Sequence, residues 1–324
     1  MAPSNLGDPL FILVFFPMLL VLSLPVQYVR YRHEHRFGLS RLTQSRWARD
    51  WLRRNAQAAV VLIMAGGVLL GALRISTEWW ILVATLYVSV NAIVRNSAPK
   101  GIARQFQTEP LRDEALAHQI AEATKTAADA APPSIVVLKV SAKTSLPGAM
   151  MTGIANDRRV FLFDTLLANF PPEEIRFVVA HEVGHDQARD SLRSLGLSSV
   201  LMFPRLFLVD ALLRGAAPVF GLSPSDVAAL PLLTLAFLLV SYLLLPIENF
   251  HKRGREVKAD EFALRTLGNP RSMISALKRF QDISLGDDAP PLIIEQLLHT
   301  HPATWRRIQM AETWVAGPSP RVKA

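Results

Sequence analysis

Two histidines and a glutamate in one short stretch, His181, Glu182 and His185, have the types and spacing of a metal site. They form the pattern H-E-x-x-H, and residues four apart in a helix share one face. Two imidazoles at this spacing can bind one metal ion, while the glutamate reaches a metal-activated water as general base. The pattern therefore predicts metal-assisted hydrolysis. An ion-paired surface helix is the alternative.

A catalytic zinc site needs a third protein ligand and an open position for water. The chain contains no cysteine, so this ligand must be a histidine or a carboxylate. Glu256 and Asp260 are also four residues apart, and they follow the last apolar segment of the chain. We expect Glu256 to join the two histidines around one zinc ion, and Asp260 to accept a hydrogen bond from one of them.

Local signals predict the elements that hold these side chains. Two prolines followed by two glutamates, at 171–174, begin a long helix that carries the H-E-x-x-H pattern, because proline and acidic residues both favour a first turn. Runs rich in Val, Ile and Phe at 134–140 and 160–163 predict a small β-sheet with a hairpin over 149–163. An Ala-, Glu- and Lys-rich segment at 111–130 predicts a further helix.

The composition indicates a membrane protein. Half of the residues are hydrophobic, and the mean hydropathy of +0.24 is high for a soluble chain. A helix needs ~20 mostly apolar residues to cross a bilayer, and five segments come near that length. The fourth is interrupted by Arg205 and Asp210, and such charges usually face a bundle interior or a wet cavity. The predicted spans lie at 10–29, 56–73, 79–94, 195–213 and 227–247.

The distribution of arginine predicts the orientation in the membrane. The formal charge is +8, and the segment between the first two spans is rich in arginine. By the positive-inside rule this segment is cytoplasmic, which also places 95–194 and the tail after 247 in the cytoplasm. Nucleic acid is the alternative partner of the basic segment, but few interleaved aromatics and a position beside a span favour lipid headgroups. Trp79 and Trp80 are expected to anchor the third span at the interface.

Several segments, spread over most of the chain, are similar to motifs of one protein family. Two of them contain the metal-site residues: HEVGH at 181–185 and ENFHKRGREVKADEFA at 248–263. A third, HPATWRRI at 301–308, contains a His-Pro motif. The others include EHRFGLS at 34–40 and RRVFLFDTLL at 158–167. Together they resemble the integral-membrane zinc metalloproteases typified by the CAAX prenyl endopeptidases, with the bacterial heat-shock membrane proteases as relatives.

This resemblance implies a zinc metalloendopeptidase in which the three expected ligands bind the metal and Glu182 is catalytic. His301 and Arg307 match the His-Pro motif of the family, whose His and Arg contact substrate or stabilise the oxyanion. A structural role at a helix start is the alternative for His301. Gly148 and Ala149 stand where the family usually has Asn-Ala on the substrate-binding edge strand.

The expected fold is mainly α, with multi-pass membrane helices and a cytoplasmic α+β metalloprotease domain that carries a small sheet. Residues 1–97 form a membrane region with three spans and the basic loop, and 98–194 form the first part of the protease domain. Residues 195–247 form two further membrane segments, and 248–324 form the second part, with the glutamate-ligand helix and the His-Pro motif. We expect an integral protein of a bacterial inner membrane whose active site faces the cytoplasm.

The expected substrates are membrane-associated or lipidated proteins and peptides. Two enzyme functions compete: quality control of damaged membrane proteins, and processing of isoprenylated carboxy-terminal peptides. A membrane scaffold that keeps a zinc site but has lost turnover is the non-enzyme alternative, suggested by Gly148 and disfavoured by the intact Glu182. A metal transporter is disfavoured because the spans carry few carboxylates or histidines. The sequence does not predict the oligomeric state.

Overall fold

The computed structural model describes residues 7–125, 134–153 and 158–314. It confirms a mainly α fold with a small sheet. In chain order the helices are α1 (Gly7–Leu22), α2 (Leu24–Arg36), α3 (Gln44–Ile75), α4 (Trp79–Gln105), α5 (Glu114–Lys125), α6 (Asp164–Asn169), α7 (Pro172–Gln187), α8 (Asp190–Ala216), α9 (Leu230–Leu267), α10 (Pro270–Ser284), α11 (Leu292–Leu298) and α12 (Thr304–Thr313).

The strands are β1 (Thr108–Pro110), β2 (Ser134–Leu138), β3 (Ala149–Thr152) and β4 (Arg159–Phe163). They form one mixed sheet in the order β1-β2-β4-β3. β2 is parallel to β4, whereas β1 and β3 pair antiparallel with β2 and β4. The predicted hairpin is therefore present, and β3 is an edge strand. The hairpin turn at 154–157 and the end of the predicted helix at 126–130 lie outside the described residues.

The chain divides into two compact units. The first comprises Met1–Asn91 and Gly196–Leu244, and the second comprises Ala92–Leu195 and Leu245–Ala324. The predicted boundaries after residues 97, 194 and 247 lie near these divisions. What each part does stays a prediction.

Helix length and composition support four of the five predicted spans. The apolar helical segments that are long enough to cross a bilayer are Gly7–Arg36, Gln44–Ile75, Asp190–Phe220 and Val227–Leu267. Within the described residues, the apolar part of α4, Trp79–Val94, belongs to a shorter class of 10–17 residues. Four helices of this length and composition support an integral membrane protein, and a crossing by α4 stays a prediction.

In the first unit, Trp79 is buried and does not anchor a membrane interface. Its ring is fully buried, and its Nε1–H donates to Asp210 Oδ1 at 2.6 Å. Arg214 Nε donates to the other oxygen of the same carboxylate at 2.7 Å. A carboxylate within an apolar helix needs such partners, and the indole N–H supplies one of them. The prediction of an interfacial Trp79 is therefore wrong, whereas Asp210 faces the protein interior as expected.

The core of the second unit lies between the sheet and the helices that follow it. The helix α7 begins at Pro172, as predicted, and packs against β3, α5 and α10. Apolar side chains from β4, α7, α9 and α10 fill the space between these elements, among them Leu162, Val179, Leu264 and Met273. This core holds α7, which carries the H-E-x-x-H pattern.

Candidate metal centre

Gly184 allows close contact between the two helices that carry the predicted ligands. A Cβ at this position would lie 3.0 Å from Ala259 Cα and 3.2 Å from the Ala259 carbonyl oxygen. The backbone of α9 therefore occupies the space that any residue larger than glycine would need at position 184. Because of this close approach, the imidazoles of α7 can meet the carboxylates of α9.

The structure brings His181, His185 and Glu256 together. Their candidate ligand atoms all lie within 4.8 Å of one another. The two Nε2 atoms are 3.2 Å apart, and they lie 3.3 and 3.4 Å from the oxygens of Glu256. Two atoms that each bind a tetrahedral zinc ion at ~2.1 Å are themselves ~3.4 Å apart. The observed spacing therefore fits one ion.

The hydrogen bonds around these side chains also fit a cation. His181 Nδ1 faces Asp260 Oδ1, and His185 Nδ1 faces Asp190 Oδ2, each at 2.8 Å. Because a carboxylate can only accept, each Nδ1–H donates and each ring directs Nε2 at Glu256. Glu256 Oε2 is buried and accepts no hydrogen bond from the part of the chain that the structure describes. Two imidazoles and a carboxylate form a donor set suited to zinc.

The charges in the site shift the pKa values of its residues. Burial lowers the pKa of His181, but the hydrogen bond to Asp260 and the neighbouring Glu256 carboxylate outweigh it and raise this pKa to about 9. A bound cation would replace that proton, because a ligand imidazole must be neutral. Burial also raises the pKa of Glu182 above its ordinary value.

The edge strand β3 contacts the expected general base. The Met151 N–H donates to Glu182 Oε2 at 3.2 Å. The Gly148 carbonyl accepts from the Phe163 N–H at 3.0 Å, so backbone groups of the strand alternate between β4 and the side of Glu182. A cavity of about 440 Å³ lies beside them and is lined by Ala149 and the site residues, with Phe177 and Phe280 among its apolar walls.

Arg307 and His301 also line this cavity but have different partners. Arg307 donates from Nε and Nη2 to the two oxygens of Asp260, each at 2.7 Å. Asp260 is fully buried, so Arg307 holds the carboxylate that orients His181. The His301 side chain is 60% exposed, and its Nε2 lies 3.5 Å from Glu256 Oε2.

Sequence reasoning missed Asp190. This residue follows His185 by five positions, and a continuous helix would not bring its carboxylate to the imidazole. The helix α7 instead ends at Gln187, and Arg189 adopts a left-handed φ of +52° before α8 begins at Asp190. A non-glycine residue in this conformation is uncommon. Nothing in the residue types predicts it.

Comparisons with known proteins agree on one family. The profile of Peptidase family M48 matches residues 110–315. The uncharacterized metalloprotease YhfN of Bacillus subtilis (strain 168) is 27% identical in an alignment of 316 positions, which covers 93% of this chain and 72% of the relative. CAAX prenyl protease 1 of Saccharomyces cerevisiae is 25% identical in an alignment of 317 positions, which covers 89% of this chain and 68% of the relative.

A further relative and a solved structure extend this result. A Protease HtpX homolog of Acaryochloris marina is 33% identical in an alignment of 186 positions, which covers 51% of this chain and 61% of the relative. The crystal structure of S. mikatae Ste24p superposes with a TM-score of 0.74 at 21% identity, covering 91% of this chain and 73% of that one. The last likeness shows a shared fold. The family profile covers more than half of the chain, so the chain belongs to peptidase family M48 and is a membrane metalloprotease.

Proposed function

We propose that the chain is a zinc-dependent endopeptidase that binds one zinc ion through His181, His185 and Glu256. The observation that carries the proposal is the convergence of these three side chains next to Glu182 and the edge strand β3. Protein or peptide chains are the substrates that such an edge suits, because an extended segment can pair with it through backbone hydrogen bonds.

A zinc ion held by His181, His185 and Glu256 would lower the pKa of a bound water to ~7 and would polarise the scissile carbonyl. Glu182 accepts the proton of the attacking water and passes it to the leaving amine. The Met151 N–H holds one oxygen of this carboxylate in place, so the base does not need to be ordered during the reaction. An extended substrate on β3 needs no particular side chain there, so Gly148 is compatible with binding.

His301 is better placed than Arg307 to stabilise the oxyanion. Arg307 already donates two hydrogen bonds to Asp260, whereas His301 is exposed and lies beside Glu256. We assign the oxyanion contact to His301 and the orientation of Asp260 to Arg307. One oxyanion donor lowers the barrier by ~3 to 4 kcal/mol in comparable sites.

We further propose membrane-associated or lipidated substrates at the cytoplasmic face of a bacterial inner membrane. Two of the relatives are named for CAAX prenyl proteolysis and for the protease HtpX, and the site residues follow apolar helices in the chain. The cytoplasmic assignment depends on α4 crossing the bilayer, because the loss of one span reverses the side of every later segment. A farnesylated peptide and an unfolded membrane protein, tested side by side, distinguish the two substrate classes.

The variant Glu182→Gln tests the proposed reaction. It should keep wild-type zinc content and lose peptide hydrolysis by roughly 10²- to 10⁴-fold, the usual contribution of a general base. His185→Ala is the matched comparison and should lose zinc and hydrolysis together. Metal analysis of the purified proteins, coupled to a peptide-cleavage assay, measures both. Unchanged hydrolysis by a zinc-loaded Glu182→Gln protein would disprove the assigned role.

A further inference from the structure

In the short helix α11 the acidic side chain is buried and the apolar side chains are exposed, the reverse of a surface helix in a water-soluble protein. Its one acidic residue, Glu295, is 2% exposed, and it accepts from the Ala303 N–H at 3.0 Å and from Arg306 Nε at 3.1 Å. Its apolar side chains point outward with exposed fractions of 39% to 65%: Leu292, Ile293, Ile294, Leu297 and Leu298. Exposed apolar clusters of this kind mark a binding surface.

Hydrogen bonds attach α11 to α9 directly after the apolar segment of α9. Asn249 Nδ2 donates to the Leu297 carbonyl at 2.9 Å. Arg253 Nη1 donates to the Glu295 and His299 carbonyls at 3.0 and 2.8 Å. The Leu297 and His299 carbonyls lie at the end of the helix, where intrahelical donors run out, whereas the Glu295 carbonyl also accepts from the His299 N–H. The bonds from Asn249 and Arg253 fix the position of α11 along α9.

The distance of Asn249 and Arg253 from the apolar segment of α9 indicates that lipid faces the apolar side chains of α11. The apolar segment of this membrane-spanning helix ends at Ile247, before Glu248. At ~1.5 Å per residue, Asn249 and Arg253 lie about 3 and 9 Å beyond Ile247 along the helix. The headgroup layer of a bilayer extends roughly 5 to 8 Å beyond the hydrocarbon on each side. Phe250, between the two donors, is itself 66% exposed.

We propose that α11 is an interfacial helix that inserts its exposed leucines and isoleucines into the bilayer at the end of α9. Helices that lie in this layer bury an apolar face at the boundary between headgroups and acyl chains. The occupant of the surface is lipid, because α11 is bonded to Asn249 and Arg253, which directly follow an apolar helical segment long enough to cross a bilayer. His301 follows α11 by three residues, so the bilayer contact also fixes the loop that carries His301.

Single-cysteine labelling tests this contact, and the chain has no native cysteine to remove. Ile293→Cys and Leu297→Cys would each carry an environment-sensitive fluorophore in vesicles of phosphatidylcholine and phosphatidylglycerol. Leu243→Cys, on the exposed side of the α9 span, is the lipid control. Lys278→Cys, at an exposed polar position of α10, is the aqueous control.

We expect lipid-borne doxyl groups near the headgroups to quench both α11 probes and aqueous iodide to quench neither. Leu243→Cys should be quenched by doxyl groups deeper in the acyl chains, and Lys278→Cys by iodide alone. Iodide quenching of the α11 probes without doxyl quenching would overturn the proposal, because water would then face α11. Protection from both quenchers would overturn it as well, because another protein surface would then cover the helix. Neither readout depends on zinc or on peptidase activity.

Discussion

Replacing Gly184 by alanine tests the helix packing on which the metal site depends. Carbon atoms pack best at ~3.5 to 4.0 Å, and the new Cβ would lie 3.0 Å from Ala259 Cα. That neighbour is backbone, so α7 and α9 must separate by about 0.5 to 1 Å to restore normal contact. A metal site accepts deviations of only ~0.2 Å in its ligand distances.

Two opposing effects set the stability of this variant. Alanine in a helix interior is favoured over glycine by ~1 kcal/mol, whereas overpacking a core costs ~1 to 3 kcal/mol. The free energy of unfolding of Gly184→Ala should therefore be lower by between about 0 and 2 kcal/mol. Zinc affinity should fall more clearly, by ~10- to 100-fold, the range seen when the support of a ligand is lost.

Gly254→Ala is the matched control, because a Cβ at Gly254 would have no atom within 4 Å. Gly254 lies in α9 and would gain the same helix propensity without a clash, so this variant should gain up to ~1 kcal/mol and keep its zinc affinity. Competition with a chromogenic chelator measures affinity, and thermal unfolding in detergent with and without zinc measures stability. If Gly184→Ala matched Gly254→Ala in both, the close approach of α7 and α9 would not control the site.

Two further predictions concern carboxylates outside the proposed ligand set. Asp190→Asn should weaken zinc binding by ~10- to 100-fold, because His185 Nδ1–H loses a charged acceptor. Asp186→Asn removes an ion pair with Arg158 instead, so it should leave zinc affinity unchanged. Burial raises the pKa of Asp164, but hydrogen bonds from Ser141 and the Val140 N–H outweigh it and hold this pKa below the ordinary 3.8. This stabilisation is complete above the ordinary pKa and is lost as pH falls through the lowered folded-state pKa. The Asp164 carboxylate is partly exposed, so solvent screens these bonds, and Asp164→Asn should reduce the free energy of unfolding by ~1 kcal/mol at neutral pH and by less in acid. Parallel stability curves for the two proteins, measured by denaturant titration across pH, would contradict this prediction.

The sequence predicts those parts of the fold and site whose signals are local. The start of α7 depends on neighbouring prolines and glutamates, and the face shared by His181 and His185 depends only on helix geometry. Glu256 could be proposed as a third ligand because the chain has no cysteine and because of the place of Glu256 after the last span. Its position opposite the two imidazoles depends on long-range packing, which spacing alone does not predict.

The features that the sequence did not predict arise from tertiary contacts. Asp190 reaches His185 because Arg189 adopts a left-handed conformation. No glycine stands beside Arg189, so the sequence does not predict this conformation. The contact of the Met151 N–H with Glu182 comes from a backbone group, so no side-chain pattern encodes it. Trp79 is of a residue type that often anchors a membrane interface, but it is buried and donates to Asp210, 131 residues later in the chain.

Gly148 was the one feature that suggested a scaffold without activity, and the structure gives this glycine a packing role. A Cβ at this position would lie 2.9 Å from two ring carbons of Phe163, so the aromatic ring occupies the space that a larger residue would need. Phe163 in turn donates its N–H to the Gly148 carbonyl, which keeps β3 paired with β4. Glycine here is therefore matched to the neighbouring ring. The departure from Asn-Ala thus has a local packing explanation, which does not require a loss of turnover.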